Sequence, residues 1–511
     1  MSFKKILVYI EPWIEDAKPG WKRNYIWWLG DIVNTLKSNS SLSTEVRFIL
    51  GDDCASFWST HKNTEATPIT ITQQELKRVF PNSRTALKSW LQGTYSTEQI
   101  KGMADLVSSK LDDFEPEVIF TITPCPFLEY RYPNAMILYR DALYCREPWP
   151  DEMTCLDPLG INVHSAINKL SAEILALPNT NESDEFYLAI RKIFLECESA
   201  DNPFSTTIKT LREAHKNIVL LALQSTGHYN FYSATEFSNQ FEYLCHVLDS
   251  IEENIGVIVT QHPDDPTLTL ETIDFLKSKY SNFIYIDSTE NYHAPSQLLL
   301  ELVDGLISVS SGLCYQALLW NKPIFIIGSS HFLPYGEKCE LGNMASHLNQ
   351  NRPIRTGTIH WLLTHYFFSY SYLKNKDWLP NHLKTLETNL AKGGSTLSIF
   401  PKIDSTQEIL RNLEDKKRET LKLRNAKTQP IDTQHSEELE SKISELTAKI
   451  ALHDEALAHT HKVIQEKDIF ITTLHNHNLT LEHEIKNSKL STPQKILSFF
   501  RKNLVQSRRN L

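Results

Sequence analysis

The sequence predicts two consecutive α/β domains followed by an α-helical coiled coil, on three observations. Short apolar strands alternate with amphipathic helices through most of the chain, a pattern typical of sheets covered by helices. The length of 511 residues exceeds what one hydrophobic core ordinarily serves. A heptad repeat occupies the C-terminal part. The expected boundaries are 1–205 and 206–400 for the α/β domains, 412–436 for a linker, 437–487 for the coiled coil and 490–511 for a basic amphipathic tail.

The composition excludes several classes of protein. The eight cysteines are scattered and include no C-x-x-C pair, so neither a zinc cluster nor a disulfide scaffold is expected. The net charge of −10 disfavours nucleic-acid binding, which generally requires a basic surface. The N-terminal residues lack the apolar core of a signal peptide, and no apolar run is long enough to span a membrane. These features predict a cytoplasmic protein.

The first α/β domain is predicted from short apolar strands with helical stretches between them. The strands are expected at 4–10, 45–50, 117–123 and 135–139, and the helices at 23–37, 84–92 and 97–111. Two further helical patterns, at 162–177 and 184–197, lead towards the second domain.

The second domain shows a more regular alternation. Strands are expected at 217–223, 255–260, 282–286, 304–309 and 323–327, and helices near 234–252, 268–280, 295–302 and 312–320. This order implies a parallel, doubly wound sheet. Ligands of such sheets bind beyond the carboxyl ends of the strands, and polar groups stand at three of these ends, namely Gln224, His262 and the pair Ser310 and Ser311.

The C-terminal part is expected to make contacts with partners. Ile, Leu or Asn recurs every seventh residue from Ile443 to Ile485, which favours a parallel homodimer. Four leucines share the second core position with the polar residues His453, Thr460 and Lys467, which weaken its middle. One long solvated helix is the alternative. The tail places Ile496, Phe500 and Leu504 beside basic side chains. This pattern suits contact with an anionic membrane surface at the inner face of the plasma membrane; a solvated, frayed end is the alternative.

The groups best suited to chemistry are His262, which precedes Pro263 at a strand end, and Ser310, Ser311 and Gly312, which lead into a helix. An imidazole, hydroxyls and helix N-terminal amides together bind the phosphate of a nucleotide. The alternative is that the strand-ending histidine is structural. The chain contains no G-x-x-x-x-G-K-[ST], G-x-G-x-x-G or H-E-x-x-H motif. Neither a cofactor nor a metal is expected.

Several segments carry a family resemblance. They are VTQHP around His262, SSGLCYQALLWNKP from Ser310, IGS around Gly328, TPCPFLEYRYPNAMILYRDALYCREPWP from Thr123 and LDPLG from Leu156. Together they resemble bacterial retaining β-Kdo transferases, which assemble capsules and lipopolysaccharide from CMP-Kdo. The resemblance covers residues 1–400 and implies two Rossmann-like domains of the GT-B type. Sialyltransferases and CDP-glycerol polymerases share the His-Pro and Ser-Ser motifs.

The resemblance also implies roles for three residues. Asp141 matches the family's carboxylate beyond a first-domain strand, where Glu is more usual, and would act as an acid/base or orient the acceptor; a salt bridge or a helix cap is the alternative. Gln224 matches the first residue of a Gln-x-x-x-Asp pattern. His228 replaces the Asp, which resembles the nucleophile of a double-displacement mechanism, and is expected to donate hydrogen bonds or bind phosphate.

The sequence therefore predicts a glycosyltransferase that moves a sugar, Kdo, from a CMP-sugar donor to a glycan or lipid-linked acceptor. Asp141 and His228 are the candidate catalytic residues, and the sugar donor is expected to contact Gln224, His262, Ser310, Ser311 and Gly312. Two alternatives come from other classes. One is a CDP-glycerol-type phosphotransferase, and the other is a catalytically silent assembly protein, which the presence of His228 favours.

Overall fold

Two β-sheets organise the part of the chain that the computed structural model describes. This part comprises residues 3–12, 19–38, 44–55, 58, 67–142, 153–198, 202–262, 265–292, 294–393 and 396–427. Residues Met1–Leu423 form one compact unit, which holds both sheets. The predicted coiled coil at 437–487 and the basic tail at 490–511 lie outside the described residues, and so do the homodimer and membrane contacts expected of them.

The first sheet has seven strands among the described residues. They are β1 (Lys5–Tyr9), β2 (Glu45–Gly51), β3 (Ile69–Ile71), β4 (Val118–Thr121), β5 (Met136–Ala142), β6 (Met153–Asp157) and, from a late part of the chain, β12 (Phe368–Ser369). Their order is β12-β6-β5-β4-β1-β2-β3. Strands β1 to β5 pair in parallel, whereas β6 runs antiparallel to β5 and β12. The side chains of Ile6 to Tyr9 are buried, as expected of a strand covered on both faces.

The second sheet consists of β7 (Asn217–Ala222), β8 (Ile255–Thr260), β9 (Phe283–Ile284), β10 (Gly305–Ser308) and β11 (Ile324–Ile326). Their order is β11-β10-β7-β8-β9, and every pair is parallel. The prediction of a parallel, doubly wound sheet is confirmed here, including each of its strands. In the first sheet the sequence missed β3, β6 and β12, and two of these strands have only three and two residues, too few to show an alternating pattern.

Helices connect the strands and cover the sheets. The α-helices span Pro19–Ser38, Gln73–Leu76, Ser83–Gln92, Thr97–Leu111, Pro126–Arg131, Ala166–Lys169, Ser171–Leu175, Asn181–Glu198, Ser205–Ala214, Tyr229–Tyr232, Gln240–Ser250, Leu270–Lys279, Pro295–Leu300, Leu313–Leu319, Met344–Leu348, Thr356–Trp361, Trp378–Ala391 and Thr406–Lys427. No helix among the described residues is long and apolar enough to cross a membrane.

Two predicted helices are shorter in the structure than expected. The stretch 162–177 contains a 3-10 turn at Asn162–His164 and two short helices, which meet at Leu170. Asn162, at the start of the stretch, has a positive φ of 52°, which an α-helix does not allow. The stretch 234–252 becomes helical only at Gln240, where the side chain of Asn239 caps the helix by accepting from the Glu242 N–H.

The linker predicted at 412–436 is corrected for its first part, because the helix Thr406–Lys427 extends across it. Leu413 on this helix is fully buried in the main hydrophobic cluster. Lys417 forms ion pairs with Glu414 on its own helix and with Glu196 on the helix Asn181–Glu198. The polar composition therefore reflects the solvated face of a packed helix, which polarity alone does not distinguish from an open linker.

Candidate functional site

Three of the predicted site groups meet because their strands are neighbours. Ser310 follows β10, Gln224 follows β7 and His262 follows β8, and the sheet order places β10, β7 and β8 side by side. All three strands are parallel, so their carboxyl ends lie at the same edge. This edge is the usual place for a ligand in a sheet of this kind.

Gln224 and Ser310 bind each other directly. The Gln224 Oε1 accepts from the Ser310 N–H at 3.1 Å, and the Gln224 Nε2 donates to the Ser310 Oγ at 3.2 Å. The Ser310 hydroxyl in turn donates to the Asn230 carbonyl at 2.9 Å, and Ser310 is buried. Its hydroxyl is thus engaged within the protein, and Ser310 holds the site together more than it faces a ligand.

Ser311 and Gly312 are more accessible than Ser310. The Ser311 N–H donates to the Ser308 hydroxyl at 3.2 Å, and the Ser311 Oγ accepts from the Leu313 N–H at 3.3 Å. Gly312 is exposed, and a Cβ atom added there would meet no atom within 4 Å. Crowding by the protein therefore does not require glycine at this position.

His228 begins the short helix Tyr229–Tyr232 and is held there as a neutral imidazole. Its Nδ1 accepts from the Asn230 N–H at 3.2 Å, and its ring stacks on Tyr229 at 4.8 Å. Burial, followed by the nearby His262, lowers the pKa of His228 to about 3. Because Nδ1 accepts a hydrogen bond, the hydrogen of the neutral ring resides on Nε2. Nε2 therefore acts as a hydrogen-bond donor and has no lone pair with which to attack a sugar carbon. This arrangement suits hydrogen bonding to a ligand and not nucleophilic attack.

Asp265 ties the loops after β7 and β8 together. Its Oδ2 accepts from the Ser225 hydroxyl at 2.7 Å and from the Thr226 N–H at 3.1 Å. Its own N–H donates to the His262 carbonyl at 3.1 Å. His262 and the segment that leads to His228 are thereby held close to each other, in agreement with the effect of His262 on the pKa of His228.

Asp141 lies on β5 at a small cavity between the two sheets. In the antiparallel ladder Asp141 is paired with Cys155. The cavity measures about 10 Å³. Its lining comes from both halves of the molecule, the first half being the part that contains the first sheet and the second half the part that contains the second sheet. The first half contributes Tyr139, Asp141, Cys155, Asp157, Gly160, Ile161, Asn162, Ser165 and Tyr366, and the second half contributes Tyr315 and His331. A volume of this size admits roughly one water-sized group. Asp141 is thus one of the polar residues around a narrow space.

Asp157 is a second carboxylate of this cavity, and it organises the loop that follows β6. Its Oδ1 accepts from the Leu159 N–H, and its Oδ2 accepts from the Ala166 N–H and from the Tyr366 hydroxyl, each at 2.7 Å. Burial raises the pKa of Asp157 to about 6, although these hydrogen bonds lower it. Three donors to one carboxylate fix the loop, and Asp157 supports the cavity through it.

A polar chain joins the Asp141 cavity to the group around Ser310. Asn162 of the cavity wall donates from Nδ2 to the Asn230 Oδ1 at 2.8 Å, and the Asn230 carbonyl accepts from Ser310. The Nδ1 of His331 lies 3.4 Å from the Asn162 Oδ1, and burial lowers the pKa of His331 to about 3. The two halves are therefore connected by side chains at the site itself.

The sequence analysis did not identify four residues that the structure places at the site, namely Asp157, Asn162, Asn230 and His331. The segment LDPLG entered the sequence analysis only through its resemblance to a family. A local signal for Asn162 did exist, because a glycine followed closely by an asparagine, as in Gly160-Ile161-Asn162, favours a tight turn. Asn230 and His331 have no local signal, because their partners lie far away in the chain.

Comparison with solved structures returned chains of low similarity. The β-Kdo 2,7 transferase KpsC of Thermosulfurimonas dismutans matches with 15% identity over 59% of this chain and 96% of its own, at a TM-score of 0.32. The MnaA protein of S. aureus, solved with UDP, matches with 12% identity over 77% and 99%, at 0.29. The calicheamicin glycosyltransferase CalG4 matches with 9% identity over 84% and 100%, at 0.27. Among curated proteins, no sequence matches this chain.

One family model matches the sequence, and its description is capsule polysaccharide biosynthesis protein. The matched residues are 178–372, which include Gln224, His228, His262 and the segment from Ser310 to Gly312 and exclude Asp141. Residues 178–372, less than half of the chain, are thus similar to capsule polysaccharide biosynthesis proteins, and the motifs around His262 and from Ser310 fall within this segment.

Proposed function

We propose that this protein is a glycosyltransferase of capsule polysaccharide synthesis, which transfers Kdo from CMP-Kdo to the hydroxyl of a glycan or lipid-linked acceptor. The observation that carries the proposal is the meeting of two sets of groups. Gln224, His228, His262 and Ser311 gather at the carboxyl ends of adjacent parallel strands, and a chain of hydrogen bonds joins this edge to the cavity that holds Asp141.

The sugar donor would bind at the strand edge of the second sheet. Parallel strand ends favour nucleotides, and the Nε2–H of His228, the imidazole of His262 and the hydroxyl of Ser311 can donate to phosphate oxygens. Such hydrogen bonds stabilise the negative charge that develops on the CMP leaving group as the bond to the sugar breaks. The match of residues 178–372 to capsule biosynthesis proteins supports the assignment.

The acceptor hydroxyl would enter the cavity of Asp141. A carboxylate within hydrogen-bond reach removes the proton of the hydroxyl while its oxygen forms the new bond to the anomeric carbon. The proton goes to Asp141, and the electron pair of the broken bond leaves with CMP. GT-B geometry, in which two α/β halves face each other across a cleft, belongs to the same proposal.

The test combines a sugar-donor panel with one catalytic variant. Purified protein is incubated with CMP-Kdo or CDP-glycerol and a lipid-linked glycan acceptor, and released nucleotide and product mass are measured. We expect CMP release and a glycoside product from CMP-Kdo alone. Asp141→Asn should lower kcat about 10²-fold to 10⁴-fold, the usual contribution of general acid/base catalysis, without loss of CMP-Kdo binding. Asp249→Asn, at an exposed carboxylate of the second half, is the matched control.

Two outcomes would overturn the proposal. A phosphodiester product from CDP-glycerol would identify a phosphotransferase. Absence of nucleotide release with every sugar donor, together with unchanged capsule in cells that carry His262→Ala, would identify a silent assembly protein.

A further inference from the structure

Asn162 belongs to the first half of the molecule, yet its side chain is held by the second half. It follows Gly160 and Ile161 in the loop after β6, has a φ of 52° and is 3% exposed. Residues other than glycine rarely adopt this left-handed conformation, and asparagine is among those that tolerate it best. Asp157 anchors the loop on both sides of Asn162. The backbone therefore presents the amide of Asn162 at one defined position.

Both ends of this amide meet residues that follow strands of the second sheet. The Nδ2 donates to the Asn230 Oδ1 at 2.8 Å, and the Oδ1 lies 3.4 Å from the Nδ1 of His331. Asn230 and His331 are buried. Because an amide has one donating and one accepting end, these contacts form together in only one relative placement of the two halves.

The contacts of Asn162 lead to both parts of the candidate site. On one side Asn162 lines the cavity of Asp141. On the other side Asn230 accepts from Ser310, and Ser310 exchanges two hydrogen bonds with Gln224. Asn162 is thus a side chain that connects the acceptor side to the Gln224 side through hydrogen bonds of 3.2 Å or less.

The cavity beside Asp141 is narrow between the described residues of the two halves. About 10 Å³ admits roughly one water-sized group, which is far less than a sugar ring. Each buried hydrogen bond of Asn162 stabilises this placement of the two halves. We propose that Asn162 is a positioning residue that holds the two halves in register, so that Asp141 and the Gln224–Ser310 pair face the same reacting atoms. This inference rests on the proposed transfer reaction.

The variant Asn162→Gly tests the proposal because glycine keeps the positive φ and removes only the amide. The matched control is Asn321→Gly, since Asn321 has a φ of 51° and donates to the Arg352 carbonyl at 3.4 Å in the turn before β11. Steady-state kinetics of CMP release should show kcat reduced roughly tenfold or more for Asn162→Gly, the loss expected from buried hydrogen bonds. The KM for CMP-Kdo should stay near that of the wild type, and Asn321→Gly should match the wild type in both constants.

Hydrogen exchange supplies a measurement that does not depend on turnover. Amides of the helix Tyr229–Tyr232 and of the segment around Ser310 should exchange faster in Asn162→Gly than in the wild type or in Asn321→Gly. Wild-type kcat and wild-type exchange in Asn162→Gly would overturn the role of Asn162. A rise in the KM for CMP-Kdo and a fall in thermal stability, with kcat unchanged, would also overturn it in favour of a structural role. A wild type without turnover would instead overturn the proposed reaction, and hydrogen exchange would still decide the role of Asn162.

Discussion

At the scale of single residues, the structure separates groups that can touch a substrate from groups that hold the site in place. Ser310 was expected to bind phosphate, yet its hydroxyl is shared between Asn230 and Gln224. His228 stands where the resembling family has a carboxylate, and its hydrogen bond from the Asn230 N–H directs the ring hydrogen to Nε2. The hydroxyl of Ser310 is thus used within the protein, whereas the Nε2–H of His228 is a hydrogen-bond donor suited to a ligand.

Substitution of His228 distinguishes a hydrogen-bond donor from a nucleophile. His228→Asn should keep the helix cap, because asparagine accepts from a backbone N–H at this position, and should leave an amide hydrogen for the ligand. We expect kcat/KM within about tenfold of the wild type for His228→Asn and a loss of at least about 100-fold for His228→Ala, which removes the donor. Kinetics of CMP release compare the two variants. Equal, complete inactivation of both would contradict the donor role and favour covalent catalysis.

At the scale of elements, the loop between β6 and the helix Ala166–Lys169 connects the fold to the site. Gly160 has a φ of 145°, and a Cβ atom there would lie 2.5 Å from the His164 carbonyl oxygen. Asp157 binds the loop at Leu159 and at Ala166. The sequence predicted a helix from 162 to 177, but the first helix begins only at Ala166, after a 3-10 turn in which Asn162 has a positive φ. The interruption places Asn162 against the second half.

The glycine of this loop should be essential for stability. Gly160→Ala brings Cβ into the backbone of His164, and we expect it to lower the free energy of unfolding by at least about 3 kcal/mol. The control Gly93→Ala also has a positive φ, 68°, but meets no atom within 4 Å, so only the left-handed backbone is penalised, by about 1–2 kcal/mol. Urea denaturation followed by tryptophan fluorescence measures both. Equal losses would show that the collision at His164 is relieved without cost.

At the scale of the whole molecule, buried histidines make stability depend on pH. His331 is 5% exposed, and burial lowers its pKa to about 3. The imidazole of His331 is therefore protonated below about pH 6.5 in the unfolded chain, but only below about pH 3 in the folded protein. The contribution of His331 is present above pH 6.5 and is lost as pH falls towards 3. Asp157, whose pKa is raised to about 6, acts in the opposite direction, because its contribution is lost as pH rises through 6.

Removal of the imidazole at position 331 should flatten the acid side of the stability curve. Between pH 6 and 4, we expect the free energy of unfolding of the wild type to fall more steeply than that of His331→Gln, by up to about 1.4 kcal/mol per pH unit. Thermal or urea unfolding at a series of pH values gives the two slopes. His246→Gln, at an exposed histidine, controls for the loss of an imidazole. Parallel curves for wild type and His331→Gln would contradict a lowered pKa of His331 in the folded protein.

The sequence by itself determined the parallel second sheet and the strand ends that carry Gln224, His262 and Ser310, because apolar runs, helical periodicity and strand-ending polar residues are local patterns. The motifs around His262 and from Ser310 also lie in the segment that is similar to capsule polysaccharide biosynthesis proteins. Only the tertiary structure decided that β10, β7 and β8 are neighbours, that Ser310 is engaged with Gln224, and that Asn162 reaches Asn230 across 68 residues of chain. The physical reason is that such contacts depend on the packing of distant segments and the burial it creates, which no local periodicity encodes.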